Sequence, residues 1–381
     1  VLDFPNSPTV GQLFPSPPTP GVGQWQWNGV AWIPVADGGA VRFDKAQSLT
    51  SPQMAQARAN IGLMKRNYVI NGGMYISQQN GATAGSTSGY YPVDMFFFMS
   101  TTGSYTVAQV ASVTPGGSPF RFRLTCNSGP ASPAAGDYLL MSHRFEGSRI
   151  VDLKLGSAAA KTVTVQFGWK APAGNYCLTL QNYSTARNYI APFTISAGQA
   201  STDTVQSITV PLDQTGTWPV DVSGCLILTW GIYAGTTFQG AANVWQAGNL
   251  FMNTGGGSNI VNGSVVELFD VGMYEGTVAP PFQMPDYPTE LALCMRYWQV
   301  CYPSYYAWCG DGNAYQSAFF LPVVMRTTPT IDSSGMSAAT GQVSGYPQYA
   351  VNAQMLQVTL ASATPGAIKY AYGTMRLSCR L

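Results

Sequence analysis

From Lys161 to Trp169 the side chains alternate: Val163, Val165, Phe167 and Trp169 fall on one face, Thr162, Thr164 and Gln166 on the other. A period of two is that of a half-buried β-strand. Runs of similar character occupy Phe120 to Leu124, Tyr176 to Leu180, Val205 to Val210, Cys225 to Ile232 and Val265 to Met273. Turn clusters such as Thr114-Pro115-Gly116-Gly117-Ser118 and Pro172-Ala173-Gly174-Asn175 separate them. Many strands at short spacing over residues 67–282, joined by Gly/Pro turns, predict a two-sheet β-sandwich of the jelly-roll kind.

Flanking segments read differently. Residues 1–46 are rich in Pro and Gly and lack helical periodicity, apart from Trp25-Gln26-Trp27-Asn28-Gly29-Val30-Ala31-Trp32. Here Asn28-Gly29 is a type I′ turn signal, placing Trp25 and Trp27 on one face of a hairpin with Trp32 in cross-strand reach. A lone hairpin is marginal in water, so it is expected to pack on a neighbouring chain or docking partner. Within a neck at 47–66, one helix is predicted over 51–62, with Ser51 as N-cap, Pro52 at the first helical position and Gly62 as the left-handed stop. Met54, Ala57 and Ile61 line one face of it. So short a helix does not hold alone, and its narrow apolar seam suits a parallel coil of two or three copies. Pro280-Pro281, Pro285 and Pro288 mark a linker, and residues 283–381 form a candidate C-terminal β domain that opens with an amphipathic segment, Glu290 to Trp298.

Composition narrows the function classes. Only 9% of the 381 residues are charged, with 12% aromatic and a net charge of +1, whereas a typical soluble domain is about 25% charged. Disorder as the main state is excluded by the aromatic content and low net charge, and a nucleic-acid partner by the lack of a basic stripe. The longest apolar runs, Met95 to Met99 and Cys225 to Trp230, fall well short of the ~20 residues that span a bilayer. No charged-then-apolar leader opens the sequence, so a soluble chain without membrane insertion is expected.

Seven sparsely spaced cysteines, with no Cys-x-x-Cys pair, point to buried thiols, and only Cys301 and Cys309 flank a short loop that a bridge would close. With one histidine and no paired thiolates, no metal site and no cofactor are expected. His143 lies in a strand-like run, Leu139 to Phe145, and reads as a polar strand residue. Glycoside hydrolysis needs two carboxyl groups facing one bond, while the acids here are scattered. Glu267 and Asp270, three apart in a strand, should point to opposite faces.

Several motifs together resemble bacteriophage tail-fibre proteins. Asp3-Phe4-Pro5-Asn6-Ser7-Pro8-Thr9-Val10-Gly11-Gln12 followed by Trp25-x-Trp27-Asn28-Gly29-x-x-Trp32 resembles an N-terminal module repeated in such fibres, and Gln56-Ala57-Arg58-Ala59-Asn60-Ile61-Gly62 is similar to the short helix ahead of their distal domains. Asn67 to Met74 and Tyr91-Pro92-Val93-Asp94 resemble the opening of a jelly-roll fibre domain, with Met95-Phe96 where that family usually has Arg-Trp. Val271 to Phe282 is similar to its closing strand, and Glu290 to Trp298 with Val324 to Thr330 resemble two marks of the C-terminal domain. The resemblance implies a homotrimeric virion fibre that holds other virion proteins through residues 1–46, with Trp25, Trp27 and Trp32 as anchor and Met54, Ala57 and Ile61 as trimer seam. It implies host attachment through the distal domains. A polysaccharide-degrading tailspike or a head-attached fibre are the alternatives, but tailspike depolymerases resemble long parallel β-helices and no short repeat is visible here.

Sugars present apolar C–H faces and polar edges, so Trp and Tyr rings beside Asn or Asp suit them. Tyr305, Tyr306, Trp308, Asp311 and Asn313 have that composition among loop-forming residues and are the candidate glycan-binding set. Tyr297, Trp298 and Tyr302 are expected to be core or trimer-interface rings.

Overall fold

The computed structural model describes residues 3–17, 24–35, 57, 66–130, 132–257, 260–309, 315–338, 348–360 and 367–381, with backbone alone at 305–309, 315–317, 338, 348–350, 358–360 and 367–370. The chain divides into two units, Val1–Met64 and Lys65–Leu381.

In the first unit, β1 (Leu13–Phe14), β2 (Trp25–Trp27) and β3 (Trp32–Pro34) form one antiparallel sheet in that order. Trp27 lies opposite Trp32 with ring centroids 5.8 Å apart, and Phe4 stacks on Trp32 at 5.2 Å and meets Trp25 edge-on at 5.5 Å. The hairpin is therefore not alone, because a third strand and the Phe4 ring pack on it. Its turn also differs from the expected one. Gly29 takes the positive φ of 98° while the Asn28 side chain accepts from the amides of Val30 and Ala31, so the turn centres on Gly29-Val30 instead of Asn28-Gly29. Trp25, Trp27 and Trp32 are half-buried. Of the predicted seam, Ala57 is helical and buried, and Met54 and Ile61 lie outside the described residues.

In the second unit the elements are β4 (Phe96–Ser100), β5 (Ser104–Ala111), β6 (Phe120–Ser128), β7 (Tyr138–Glu146), the one-turn α1 (Gly147–Ile150), β8 (Thr162–Lys170), β9 (Gly174–Asn182), β10 (Asn188–Ile195), β11 (Thr204–Pro211) and β12 (Gly224–Ala234), of which β4, β5 and β10 are not among the alternating runs. Three two-residue strands follow, β13 (Gln239–Gly240), β14 (Trp245–Gln246) and β15 (Met252–Asn253), and then the long β16 (Val265–Glu275). A six-stranded sheet in the order β14-β10-β9-β12-β7-β4 faces a five-stranded sheet in the order β11-β8-β16-β6-β5. The fold is all-β, a jelly-roll-like sandwich followed by a C-terminal β lobe. Between the sheets Phe167, Trp169, Tyr176, Phe193 and Trp230 pack mostly edge to face, with Phe167 and Trp230 at 5.7 Å. Such tilted contacts suit the quadrupoles of the rings.

The C-terminal lobe begins with α2 (Tyr287–Met295), whose N-cap Asp286 accepts from the Thr289 amide at 3.2 Å with Pro288 in the first turn. It continues as β17 (Trp298–Cys301), β18 (Ser304–Cys309), β19 (Tyr315–Phe320), β20 (Thr330–Ala338), β21 (Gln348–Ala350), β22 (Met355–Leu360) and β23 (Ala367–Ser378). β23 is central to one sheet: β17 and then β18 pair along one edge of it and β20 along the other, while β19, β22 and β21 form a second sheet. Leu321, Met325, Met336, Leu356, Ala371, Met375 and Leu377 are buried in a common core. The lobe is tied to the sandwich by Arg296 on Glu146 and by Arg380, whose guanidinium carbon lies 3.9 Å from the Tyr91 ring centroid.

Candidate functional site: the outer face of the C-terminal sheet

Register along β23 sorts the residues of this sheet. Ala371, Met375 and Leu377 alternate into the core, so Tyr372, Thr374 and Arg376 share the opposite face. Pairing carries that face across three strands. Ser304 and Ser337 lie opposite Tyr372, Gly335 opposite Thr374, and Val300 and Asp332 opposite Arg376. Cys301 pairs with Met375 and Ser304 with Tyr372, an unbroken register in which Tyr302 falls opposite Thr374. Tyr302 is 75% exposed and Tyr372 51% exposed. Between and beside these tyrosines the floor is Thr374 and Gly335, which carry little bulk.

One edge of the face holds its charge. Arg376 reaches Asp332 at 3.3 Å, both side chains being substantially exposed. The Ser334 amide donates to Asp332 at 2.9 Å, and with Arg376 it holds that carboxyl below the usual range. An exposed sheet face with two accessible tyrosines, small hydroxyl residues and a neutralised ion pair offers apolar rings and short-reach hydrogen-bonding groups together.

Tyr305, Tyr306 and Trp308, expected in a loop, are in strand β18, because pairing with β23 overrides their turn-rich surroundings. Tyr306 sits opposite Tyr370 and Trp308 opposite Ile368, positions in phase with Tyr372, whereas Tyr305 sits opposite the buried Ala371. Asp311 and Asn313 lie outside the described residues. Tyr297 and Trp298 are buried as expected, but Tyr302 is not a core ring. The strand also separates Cys301 from Cys309 by eight positions along one extended edge, about 26 Å at the usual rise, far beyond disulfide reach. Cys301 is a free thiol whose pKa is pushed up to about 11 by burial. Sequence reasoning missed Tyr372, Thr374, Gly335 and the Arg376–Asp332 pair, although the alternation of Ala371, Tyr372, Thr374, Met375, Arg376 and Leu377 would have placed three of them.

The acids of the sandwich are engaged elsewhere. Arg121, 4% exposed at its side chain, donates to Asp203 at 2.6 and 2.7 Å, to Glu267 at 3.0 Å and to the carbonyls of Ser112 and Val113. This guanidinium holds the Asp203 carboxyl below its ordinary value. Asp270 does not follow strand alternation, because its backbone is left-handed (φ 49°) where β16 shifts register; its carboxylate accepts from Thr114 Oγ1 and the Gly116 amide, both at 2.7 Å, and burial raises its pKa. Asp94 is raised to about 6 by burial despite Arg380 at 3.8 Å, and Glu290 is raised by burial while accepting from the Asn71 amide. Proximity to His143 offers no base. The ring lies wholly buried against Phe96 and Phe145, at 4.8 and 4.5 Å, with its Nε2 at 3.2 Å from the Ile70 carbonyl, and burial drives its pKa down to about 3. Among the described residues no three His, Cys, Asp or Glu side chains are grouped to hold a metal ion, and no helix is long and apolar enough to cross a membrane.

The structure thus defines a class: an all-β chain of a sandwich and a C-terminal β lobe with an aromatic outer face. No known protein family matches the sequence, and no curated protein does. Among solved structures, the chain is similar to the enzymatically active domain of tailspike protein 4 of bacteriophage CBA120, at 10% identity and a TM-score of 0.29, over 55% of this chain and 21% of that one. It is also similar to TmCBM61 in complex with β-1,4-galactotriose (10% identity, TM-score 0.29, 55% of this chain and 99% of that one). A third is the family 11 carbohydrate-binding module of the cellulosomal cellulase Lic26A-Cel5E of Clostridium thermocellum (10% identity, TM-score 0.27, 52% and 97%). The chain spans about a fifth of the tailspike domain it matches, and likeness at these scores carries no argument about this chain's activity.

Proposed function

We propose that this chain is the fibre of a virus that infects bacteria, a tail fibre in the first instance, and that it attaches the particle to a cell-surface glycan by adhesion without catalysis or cofactor. The observation that carries the reading is the pair of exposed tyrosines, Tyr302 and Tyr372, on one outer sheet face beside Ser304, Ser337, Thr374 and the Arg376–Asp332 pair. Tyrosine rings cover sugar C–H faces, while hydroxyls and a neutralised ion pair meet the polar edges. The tail-fibre motifs of the sequence support the viral setting. In this reading three copies associate along Met54, Ala57 and Ile61, the N-terminal unit with Trp25, Trp27 and Trp32 holds other virion proteins, and the fibre is carried on the virion after assembly in the host cytoplasm. Three weak sites per fibre, repeated around a particle, raise avidity through effective concentration.

The test uses the full chain. Light scattering should give three times the chain mass, and the labelled protein should bind whole cells of a susceptible strain and lose that binding when surface polysaccharide is stripped. A monomer that binds no cells overturns the proposal. Release of reducing ends from the polysaccharide would replace adhesion by cleavage.

A further inference from the structure

The outer face of the C-terminal sheet is long and open. Resting on the adhesion reading above, we infer that it takes an internal stretch of an uncharged polysaccharide, several sugars long and laid along β18, in place of a single terminal sugar. Three observations carry this. First, ring-bearing positions recur in phase along the strand edge: Tyr302, Tyr306 and Trp308 on one chain segment, with Tyr370 and Tyr372 opposite Tyr306 and Ser304. From 302 to 308 the strand rises about 20 Å, several times the length of one sugar ring. Second, the face is a sheet surface and not a socket. Tyr302, Ser304, Ser337 and Tyr372 are all exposed on it, whereas a site built for a terminal monosaccharide encloses its ligand. The cleft between the sandwich and this lobe, lined by Tyr91, Phe97, Arg144, Tyr297 and Arg380, holds only about 10 Å³, the space of one water. Third, the charged groups described on the face, Arg376 and Asp332, neutralise each other, so the described residues of the face present no unpaired cation to an acidic sugar.

Aromatic residues at in-phase register positions along one strand edge suit a ligand that repeats along its own axis. A face of this kind gains affinity with ligand length until the row of rings is covered. The trimer would then present three such rows.

The experiment takes the uncharged surface polysaccharide of a strain whose cells the full chain binds, and cuts it by partial hydrolysis into fragments of graded length. Titration calorimetry should show affinity rising at least about tenfold from two sugars to six, with Tyr302→Ala and Tyr372→Ala each weakening the six-sugar fragment by a similar factor while far-UV circular dichroism stays unchanged. Equal affinity for one sugar and six would overturn the inference and leave the adhesion reading standing. So would full-strength binding by both variants, which would put the glycan on another surface. Failure of the full chain to bind any intact cell or its polysaccharide would instead overturn the adhesion reading itself.

Discussion

Arg296 donates to both carboxylate oxygens of Glu146, at 3.1 to 3.3 Å, and so fastens the start of the C-terminal lobe to the last residue of β7. The acid is the buried partner, 2% exposed against 26% for the arginine side chain. Ser148 Oγ adds a further bond to it at 2.6 Å. Removing the arginine leaves a buried carboxylate without its counter-charge, which is costlier than the pair is worth. Arg296→Ala is expected to lower unfolding free energy by about 3 kcal/mol, read as a drop in urea midpoint, while Glu146→Gln should cost less because it removes the buried charge itself.

His143 is the sole histidine, so its ring signal is unambiguous. Burial lowers its pKa from the ordinary 6.5 to about 3. A depressed histidine contributes stability that is fully present above pH 6.5 and is lost as pH falls toward 3, at up to about 1.4 kcal/mol per pH unit. The Cε1 proton shift should stay constant from pH 8 to 5; a midpoint near 6.5 in the folded protein would contradict the buried, neutral ring.

Asp94 works in the opposite direction. Its carboxyl is raised from 3.8 to about 6 by burial, so its contribution is fully present below pH 3.8 and is lost as pH rises through 6. Asp94→Asn should abolish that slope, with a difference from the parent of up to about 3 kcal/mol across the window. Denaturation of both proteins at pH 4 and pH 8 measures it.

Gly373 crosses the sheet beneath the candidate face with φ 139°, and a Cβ there would stand 2.3 Å from the Gly335 carbonyl oxygen. Both the backbone region and the contact exclude a side chain. Gly373→Ala is expected to destabilise the lobe by about 2 kcal/mol or more, visible as earlier exchange of β20 and β23 amides, whereas Gly198, which has no positive φ and nothing within 4 Å of its Cβ, should accept alanine.

Glycan binding by this protein should be nearly insensitive to ionic strength. The chain has 9% charged residues and net charge +1, and the ion pair on the face is closed on itself, so no long-range steering is left for salt to screen. A tenfold loss of cell binding between low and high salt would contradict it.

Periodicity and turn chemistry were enough to establish an all-β sandwich, since alternation of Val163, Val165, Phe167 and Trp169 commits a segment to one buried face whatever its neighbours are. The same information is local, and this is where it stopped. That Tyr306 belongs to a strand depends on β23, more than sixty residues later, coming alongside it. The tilt of composition toward loops at 301–309 carried no trace of that partner. Likewise the single histidine was legible as a strand residue, but its burial between Phe96 and Phe145 required β4 to pair with β7. Asp270 shows the converse: the pattern around it reads as regular strand, and only the register shift in β16, with the hydrogen bonds of Thr114 and Gly116, holds its left-handed backbone. The sequence by itself determined that the chain is all-β, marked the segments of β6, β8, β9, β11, β12 and β16 but not β4, β5 or β10, and showed which residue types could meet a sugar. Tertiary structure alone decided which residues of different strands share a face, because strand pairing joins positions distant in the chain and no local pattern encodes the partner.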